Sequence, residues 1–508
     1  MTDTLAPQGR GTDLATVLAG AAAVVAVGVV RALVLAGSVP SGIDGGNWLA
    51  YGDYVRPGST YPPLVPLLFA RLVALAGPTD ASMLAACIAA CAPALAILGV
   101  GAWAGRRVSA IAAALVVATS GAVGEAAAWG GYPQLTAITA AVVALVALAR
   151  YADVGSRRAL AVYAVAIVAV VATSHLVAVP ASAAAALVAG GAIVARRPGA
   201  LRRALVAGVI GFAPLLGLAR TYAALFATLG VGATTRGSPD VAGILGPAWA
   251  ADVALLGAIP AGALFFAHRG RALVPASSTR DRALLVAAGC AAVAWGAAFL
   301  ASGEGRLLYD FVTIAPLCAL ALVPVAVTRA PRAIRASAGL ALAAGCAYLA
   351  AAGLAAFPAQ VAFYRILTPG DFSAMEWLAA QPYGANQLVV ADTKGSPIGW
   401  WAEGITGREA LYASDLQWLR FPSERSRALI ANALLYRSGF PDAASATAAS
   451  EAGVRYVLLP AASAFGLGSS APPGWRVAYA AGDALVLSPA GSSAAASSAL
   501  PSAASVPP

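Results

Sequence analysis

Residues 41–68 read SGIDGGNWLAYGDYVRPGSTYPPLVPLL, and they decide how the rest of the chain is interpreted. They follow an apolar run, residues 14–36, that is long enough to span a bilayer. A plain connector between two membrane helices is far shorter and needs neither aspartates nor a cluster of aromatic residues. We therefore interpret the stretch as a functional element at the membrane boundary. The side of the membrane on which it lies is the question that the remaining sequence must answer.

The composition is that of a polytopic α-helical membrane protein. Of the 508 residues, 60% are hydrophobic and only 11% are charged, and the mean hydropathy is +0.79. No soluble domain of this size buries so large an apolar fraction. The net charge of +10 does not indicate nucleic-acid binding, because the arginines stand in short clusters between apolar runs. Lys394 is the only lysine, and together with abundant alanine it indicates a GC-rich bacterial genome.

The apolar runs and their connectors predict eleven membrane spans, since a span needs about 20 apolar residues. The runs occupy residues 14–36, 81–104, 108–124, 134–150, 159–174, 176–194, 204–224, 248–267, 283–301, 311–328 and 336–357. Arginine clusters alternate with acid-containing connectors, and the positive-inside rule places the arginine clusters in the cytoplasm. We therefore expect a multi-pass protein of the bacterial plasma membrane, with residues 1–13 as a cytoplasmic tail and residues 14–357 as the transmembrane domain.

Residues 61–77, YPPLVPLLFARLVALAG, decide where the opening loop lies. The segment is apolar but short, contains three prolines and carries Arg71, and all of these features disfavour a full crossing. If the segment lies in the membrane interface, the first outer loop covers residues 37–80 and Asp44 is outside. If the segment crosses, the downstream connectors place Asp44 in the cytoplasm. We interpret the segment as non-crossing.

After residue 357 the composition changes to that of a small α/β domain, which we expect outside the membrane over residues 358–489. Strands are predicted at residues 387–392 and 454–460, a hairpin across 475–488, and helices at 371–381, 423–436 and 442–452. Asp371 is predicted to be the N-cap of the first of these helices. Residues 490–508, which are rich in Ser, Ala and Pro, are predicted to form a disordered tail.

The acidic residues of the membrane half collect at its outer side, which makes them candidates for chemistry. Asp44 is followed by Gly45 and Gly46, which let the backbone approach another group closely. Glu125 opens a second stretch, EAAAWGGYPQ, with the same succession of acid, aromatic residue, paired glycines and Tyr-Pro. Turns at the membrane surface are the plain alternative. The functional interpretation is a general base, or two carboxylates that bind Mg²⁺ or Mn²⁺. Asp53 is weaker, since it can simply cap a short helix.

Further polar residues near the ends of spans are candidates for substrate binding. Arg306 and Tyr309, in SGEGRLLYDF, can clamp a phosphate, although an arginine there can instead reach lipid headgroups. Arg220 offers a weaker case of the same kind. His175 stands between two spans, where a satisfied polar helix end is the plain alternative. Arg31 lies inside the first span, which is costly unless the arginine is paired or reaches the membrane surface.

An outer aspartate directly after the first span, followed by YGDYV and YPPLVPLL, resembles the GT-C superfamily of integral-membrane glycosyltransferases. The likeness extends to the many short spans and the extracytoplasmic α/β domain. It implies an inverting transfer of a sugar from a polyprenyl-phosphate donor to a glycan, lipid or protein acceptor of the cell envelope, among membrane lipids on the outer face. It further implies that Asp44 is the catalytic base or metal-binding carboxylate. Glu125 would be the second acidic position, and Arg306 would bind the donor phosphate.

A second resemblance concerns residues 399–415, GWWAEGITGREALYASD, which are similar to the WWDYG region of the oligosaccharyltransferase catalytic subunit, with Arg408 downstream. The aspartate of that region is replaced by Ala402 here, which argues against recognition of a glycosylation sequon. Trp400 and Trp401 are candidates for acceptor binding, and packing of the domain is the plain alternative. Other functions remain open: an oligosaccharyltransferase-like enzyme, a non-catalytic scaffold, or a transporter of a lipid-linked substrate, which the nearly charge-free spans disfavour.

Overall fold

The computed structural model describes residues 9–56, 61–232, 278–302, 304–329, 332–391, 398–413, 419, 422–436, 439–468 and 470–490. The predicted span at 248–267 lies outside these residues, as does most of the predicted tails 1–13 and 490–508. The chain divides into two compact units, Met1–Leu367 and Thr368–Pro508, and each is described by itself. The division falls ten residues after the boundary predicted at residue 357.

Every regular element described in the first unit is a helix. In chain order these are α1 (Gly9–Leu35), α2 (Gly45–Gly52), α3 (Leu64–Trp103), α4 (Arg107–Thr119), α5 (Gly121–Trp129), α6 (Tyr132–Val154), α7 (Arg157–Thr173), α8 (His175–Val194), α9 (Ala200–Gly217), α10 (Ala219–Gly232), α11 (Thr279–Ser302), α12 (Leu307–Arg329) and α13 (Arg332–Tyr364). Long apolar sequences adopt this form because a helix satisfies its backbone hydrogen bonds within the segment.

Seven of the described helices are long and apolar enough to cross a membrane, or eight if α4 and α5, which meet at a bend of 45°, form one span. The protein is therefore a multi-pass membrane protein. Each of the ten predicted spans that fall within the described residues is largely helical, and the one predicted at 108–124 crosses the bend between α4 and α5. The span predicted at 159–174 is short for a full crossing, because α7 has 17 residues. The total of eleven spans stays a prediction.

Two predicted helix boundaries differ from the structure. The span predicted at 204–224 is interrupted at Leu218, directly after Gly217, a residue that disfavours helix continuation. The last span, predicted to end at residue 357, continues through Pro358 to Tyr364. Its final turns are held by tertiary contacts that the sequence does not reveal, including a hydrogen bond of 3.0 Å from Gln360 Nε2 to the Gly121 carbonyl.

Helix α3 is two helices in succession, because Gly77 has the non-helical dihedral angles φ 78° and ψ 162°. The following Pro78 lacks a backbone donor, which favours a break at this place. The segment before the break, residues 64–76, is about 20 Å long at 1.5 Å per residue, whereas the hydrocarbon core of a bilayer is about 30 Å thick. This length supports the prediction that residues 61–77 do not cross.

The second unit contains helices around a small mixed sheet. Its elements are α14 (Pro369–Ala379), β1 (Leu388–Val390), α15 (Ile398–Thr406), β2 (Leu411–Tyr412), α16 (Pro422–Tyr436), α17 (Ala443–Glu451), β3 (Tyr456–Leu459), β4 (Trp475–Ala481) and β5 (Ala484–Pro489). The strand order is β2-β1-β3-β5-β4; β1 pairs in parallel with β2 and β3, and β5 pairs antiparallel with β3 and β4. The predicted strands and hairpin coincide with β1, β3 and β4–β5.

The N-cap predicted at Asp371 was wrong by three positions. Thr368 is the N-cap of α14, and its side chain accepts a hydrogen bond of 3.2 Å from the Asp371 N–H. The Asp371 carboxylate in turn accepts one of 2.7 Å from the Thr368 N–H. This reciprocal capping box starts the helix two residues before the predicted position. Helix α15 and strand β2, which the sequence patterns did not indicate, are short and buried on all sides.

Candidate active site

The loop that carries Asp44 packs backbone to backbone on the end of α5. The N–H groups of Ile43 and Asp44 both donate to the Trp129 carbonyl, at 3.1 and 3.0 Å. The indole Nε1 of Trp48, on α2, donates to the Gly130 carbonyl at 2.6 Å. These three bonds join the first outer loop to the second acidic stretch, EAAAWGGYPQ. The two stretches that look alike in sequence are therefore neighbours in space.

The contact needs glycine on both sides. Gly42 has φ 88°, and a Cβ atom there would stand 3.2 Å from the Ala128 carbonyl oxygen. Gly130 has φ 97°, and a Cβ atom there would stand 3.2 Å from the Gly45 nitrogen and 3.3 Å from the Asp44 Cβ. Both the left-handed backbone and the close approach strongly favour glycine over a residue with a side chain. The glycines thus set the position of Asp44.

Asp44 occupies the N-cap position of α2 but does not cap it, because its side chain makes no capping hydrogen bond. The side chain is half-buried, so part of it reaches solvent. The carboxylate lies within electrostatic range of the hydroxyl groups of Tyr132 and Tyr364 and of the guanidinium of Arg306. A carboxylate that is accessible and not used for capping can take a proton from a bound hydroxyl group.

Glu125 is fully enclosed. Its Oε1 accepts a hydrogen bond of 2.7 Å from the Tyr364 hydroxyl, and Tyr309 also hydrogen-bonds its carboxyl group. Its Oε2 is buried and has no hydrogen-bond partner among the residues that the structure describes. Burial in this arrangement lets Glu125 hold α12 and α13 against α5. Direct contact with a substrate would require the site to open.

Arg31 supports the bend that precedes Glu125. The residue is 1% exposed, and of the two alternatives that the sequence left open, the structure shows an arginine with partners inside the bundle. Its Nη2 donates to the Ser120 carbonyl at 2.8 Å, and its guanidinium lies 5.2 Å from the centre of the Phe357 ring. The Ser120 hydroxyl accepts from the N–H groups of Ala122 and Val123 at the start of α5. The arginine is therefore paired within the helix bundle, as burial in a membrane requires.

Arg306 and Tyr309 lie on the same side of the bundle as Asp44. The Arg306 guanidinium is one-third exposed and forms a two-pronged ion pair with Glu304, from Nε to Oε1 at 3.0 Å and from Nη2 to Oε2 at 3.1 Å. Burial opposes its charge, but Glu304, together with Asp44 and Tyr61, raises the pKa of Arg306 above its ordinary value. The Tyr309 ring lies 6.4 Å from that of Trp129.

His175 joins this region through an aromatic cluster. The rings of Trp48, Tyr51 and Tyr61 lie 4.8 to 6.3 Å apart, and the His175 ring meets Tyr61 edge-on at 5.7 Å. His175 is the first residue of α8 and is 5% exposed. The structure thus brings five predicted site residues to one boundary of the first unit. These are Asp44, Glu125, His175, Arg306 and Tyr309.

The remaining predicted site residues are placed differently. Arg220, near the start of α10, is exposed. Trp400 and Trp401 lie in α15 of the second unit and are 9% and 0% exposed. Arg408 donates to the Gln381 carbonyl at 3.0 Å beyond the end of α14 and lies 4.4 Å from the centre of the Tyr383 ring, which is a structural use.

A buried ion pair follows the tryptophans in α15. Glu403 is 0% exposed, and its Oε1 accepts from Arg427 Nη1 at 2.6 Å and from the Ala410 N–H at 3.0 Å. Arg427 also donates to the Ala410 carbonyl at 3.0 Å. This network ties α15, α16 and the segment before β2 together. The tryptophans therefore stand in a structural core of the second unit.

The described residues do not fit a resident metal ion. No group of three or more His, Cys, Asp or Glu side chains in the described ranges is placed to hold one. Glu125, the second predicted ligand, has one carboxylate oxygen bonded to Tyr364 and is closed off from solvent. Divalent cations such as Mg²⁺ need several oxygen ligands and usually keep some of their waters. We therefore derive no chemical step through a metal.

Sequence reasoning missed the residues that hold the site together. Tyr364 binds Glu125, and Arg365 Nη2 donates to the Leu35 carbonyl at 2.7 Å, where α1 ends before the Asp44 loop. Gln134 and Trp295, described below, contact Asp310. For Tyr364 and Arg365, the sequence did offer a signal, since they form a polar dipeptide soon after a long apolar run.

Comparison with known proteins finds the architecture among solved structures. No protein-family model and no curated protein matches the chain. ArnT from Cupriavidus metallidurans matches in the apo state with a TM-score of 0.53 and 15% identity, over 90% of this chain and 95% of ArnT. Its structure bound to undecaprenyl phosphate matches with a TM-score of 0.51 and 16% identity, over 91% and 97%.

The Archaeoglobus fulgidus oligosaccharyltransferase, in complex with Zn and sulfate, matches with a TM-score of 0.43 and 14% identity, over 85% of this chain and 67% of that one. The ArnT matches span nearly the full length of both chains. The chain therefore shares its fold with ArnT, which agrees with the architecture that the resemblance in the sequence led us to expect.

Proposed function

We propose that the chain is a membrane glycosyltransferase that moves a sugar from a polyprenyl-phosphate donor to a cell-envelope acceptor. The site lies at the outer boundary of a bacterial plasma membrane, and the second unit lies outside. The observation that carries the proposal is the direct packing of the Asp44 loop on the end of the Glu125 helix, within a fold shared with ArnT. Because one ArnT structure holds undecaprenyl phosphate, a lipid phosphate is the natural partner for this boundary.

Asp44 is the residue best suited to act as the base. Its carboxylate is half-buried and does not cap α2, whereas Glu125 is closed off. Asp44 takes the proton of an acceptor hydroxyl, whose oxygen attacks the anomeric carbon of the sugar. The bond between that carbon and the phosphate oxygen breaks as the new bond forms, so the configuration is inverted. A positioned general base contributes about 10²- to 10⁴-fold to such a step.

Arg306 stabilises the phosphate that leaves with the lipid. Arginine suits this task because its planar fork matches phosphate geometry and stays charged. Glu304 accepts from Nε and from one N–H of Nη2, so the two N–H groups of Nη1 and the second N–H of Nη2 remain for a phosphate. Tyr309 and His175 border the same region, where they can contact the sugar or the acceptor. Glu125 holds Tyr309 and Tyr364 in place.

The test uses two aspartates at the two ends of the same short helix. Asp44→Asn is compared with Asp53→Asn, which changes the same residue type at the C-cap of α2. The source bacterium, with its own copy deleted, is complemented with each full-length variant. Loss of label from the polyprenyl-phosphate sugar pool is then followed by chromatography, at protein levels matched by immunoblot. Undecaprenyl phosphate binding is measured separately, on purified protein in nanodiscs.

We expect all three proteins to bind undecaprenyl phosphate and only Asp44→Asn to lose transfer, by about 10²-fold or more. Failure of the wild type to bind undecaprenyl phosphate would overturn the proposed donor class. Unchanged transfer by Asp44→Asn would overturn the assignment of the base. Retained binding without transfer in the wild type would favour a non-catalytic protein.

A further inference from the structure

Behind Arg306, a chain of buried side chains runs through three helices. Gln134 Nε2, on α6, donates to the Arg306 carbonyl at 2.6 Å and to Asp310 Oδ1 at 2.9 Å. Trp295 Nε1, on α11, donates to Asp310 Oδ2 at 2.8 Å. Gln134, Trp295 and Asp310 are 3%, 0% and 1% exposed. These hydrogen bonds link α6 and α11 to Asp310, in the first turn of α12, and to Arg306, which directly precedes that helix.

Asp310 determines which way the Gln134 amide is turned. A carboxylate only accepts hydrogen bonds, so it selects the orientation in which Nε2 faces both Asp310 and the Arg306 carbonyl. Turned over, the amide would present its oxygen to two acceptors. In agreement, Gln134 Oε1 has no hydrogen-bond partner among the described residues, although it is buried. The indole of Trp295, a donor only, holds Asp310 itself in position.

Arg306 is therefore fixed at both ends. Its carbonyl is held by Gln134, and its guanidinium is held by Glu304. Gln134 stands in the first turn of α6, three residues after Gly131, and the turn before it receives the hydrogen bonds of the Asp44 loop. One turn of backbone thus serves as a common support for Asp44 and Arg306.

We infer that Gln134 and Asp310 are positioning residues that set the place of Arg306 and thereby the affinity for the polyprenyl phosphate. The inference rests on the proposed function, because it takes a phosphate as the ligand of Arg306. Neither residue contacts the phosphate. Their effect passes through the Arg306 backbone, so it is present only while the Arg306 side chain is present.

A double-mutant cycle tests this dependence. Gln134→Met keeps the length of the side chain but removes the donor, and it is made in the wild type and in Arg306→Ala. The probe is undecaprenyl phosphate, and the readout is its Kd on full-length protein in nanodiscs. Thr139→Val, five residues further along α6, is the matched control, because Thr139 bonds only the Leu135 carbonyl of its own helix.

We expect Gln134→Met to weaken binding about tenfold in the wild type, since it leaves the Arg306 carbonyl and the buried Asp310 carboxylate each short of a donor. In Arg306→Ala the same change is expected to weaken binding by less than about twofold, because coupled residues are not additive. Thr139→Val should bind as the wild type does. Equal losses in both backgrounds, or no loss in the wild type, would overturn the inference.

If Gln134→Met does not yield folded protein, Trp295→Phe takes its place in the cycle. This change removes the donor to Asp310 and keeps an aromatic ring in the buried site. Binding equal to that of the wild type would then overturn the inference, and a loss that depends on Arg306 would support it. Failure of the wild type to bind the probe at all concerns the proposed function, so the two failures are distinguishable.

Discussion

Replacement of Gly130 by alanine is the sharpest test of the contact that places Asp44. The residue has φ 97° and ψ 25°, and a Cβ atom would stand 3.2 Å from the Gly45 nitrogen and 3.3 Å from the Asp44 nitrogen. An L-residue held in the left-handed region costs about 1–2 kcal/mol. Its preferred φ there is near 57°, about 40° away from the observed angle. The loop must therefore move by some tenths of an ångström to relieve both the contact and the dihedral strain.

Gly155→Ala is the matched control, because it places an L-residue in the same left-handed region without displacing the Asp44 loop. Gly155 has φ 69° at the end of α6, and its Cβ would meet only the flexible side chain of Arg203, at 3.3 Å. Both variants are expected to lose about 1–2 kcal/mol of stability, measured as a lower temperature of aggregation in detergent.

Only Gly130→Ala is expected to lose transfer in the labelled-donor assay, by about 10- to 100-fold, because a shift of about 1 Å in a reacting group costs about 100-fold. Equal transfer by the two alanine variants at matched protein levels would refute the claim that this contact places the base.

Three further predictions concern the surroundings of the site. Tyr364→Phe removes the hydrogen bond to Glu125 and should lower the transfer rate about tenfold. Tyr348→Phe is the control, because Tyr348 is 55% exposed on the same helix, and it should leave the transfer rate unchanged. Similar transfer rates for the two variants would contradict a role for the bond. The side of the first loop can be tested by labelling in a background without the five free cysteines. Tyr54→Cys, in the predicted outer loop, should react with an impermeant maleimide in intact cells, whereas Arg158→Cys, in a predicted cytoplasmic connector, should react only after lysis. The reverse order would place the first loop in the cytoplasm. Removal of divalent cations with EDTA should change the transfer rate by less than about twofold, since the described residues do not fit a resident metal ion. A loss of transfer that Mg²⁺ or Mn²⁺ restores would contradict this prediction.

The fold could be predicted from the sequence where local pattern decides the structure. The separation of segment 61–77 from the span that follows it, and the hairpin β4–β5, follow from turn residues and from hydrophobic periodicity. The extension of α13 past Pro358 could not be predicted, because it depends on contacts with α5. Helix α15 was missed for a different reason: it has only nine residues, fewer than a helix usually needs to be recognised from its periodicity.

The same distinction between local sequence pattern and tertiary contact applies to the candidate site. Asp44 and Arg306 could be named from the sequence because a charged residue at the end of an apolar run is conspicuous. Their supports could not be named, since Gln134 and Trp295 are recognisable only by the partner that each one contacts. Trp401 is conspicuous in the sequence as part of a Trp-Trp pair, for which acceptor binding and packing were both open. The structure encloses Trp401 completely in the second unit, and acceptor binding stays a prediction.

The arrangement of contacts shows why the stretch EAAAWGGYPQ, residues 125–134, matters as much as the opening loop that carries Asp44. Its first residue binds Tyr364, its central turn receives the Asp44 loop, and its last residue holds Arg306. Ten residues thus set the positions of three segments that are far apart in the chain. The proposed transfer needs Asp44 and Arg306 at a fixed separation, since reacting groups must be held close to their productive geometry. A stretch that contacts both segments from one helix start can provide that separation.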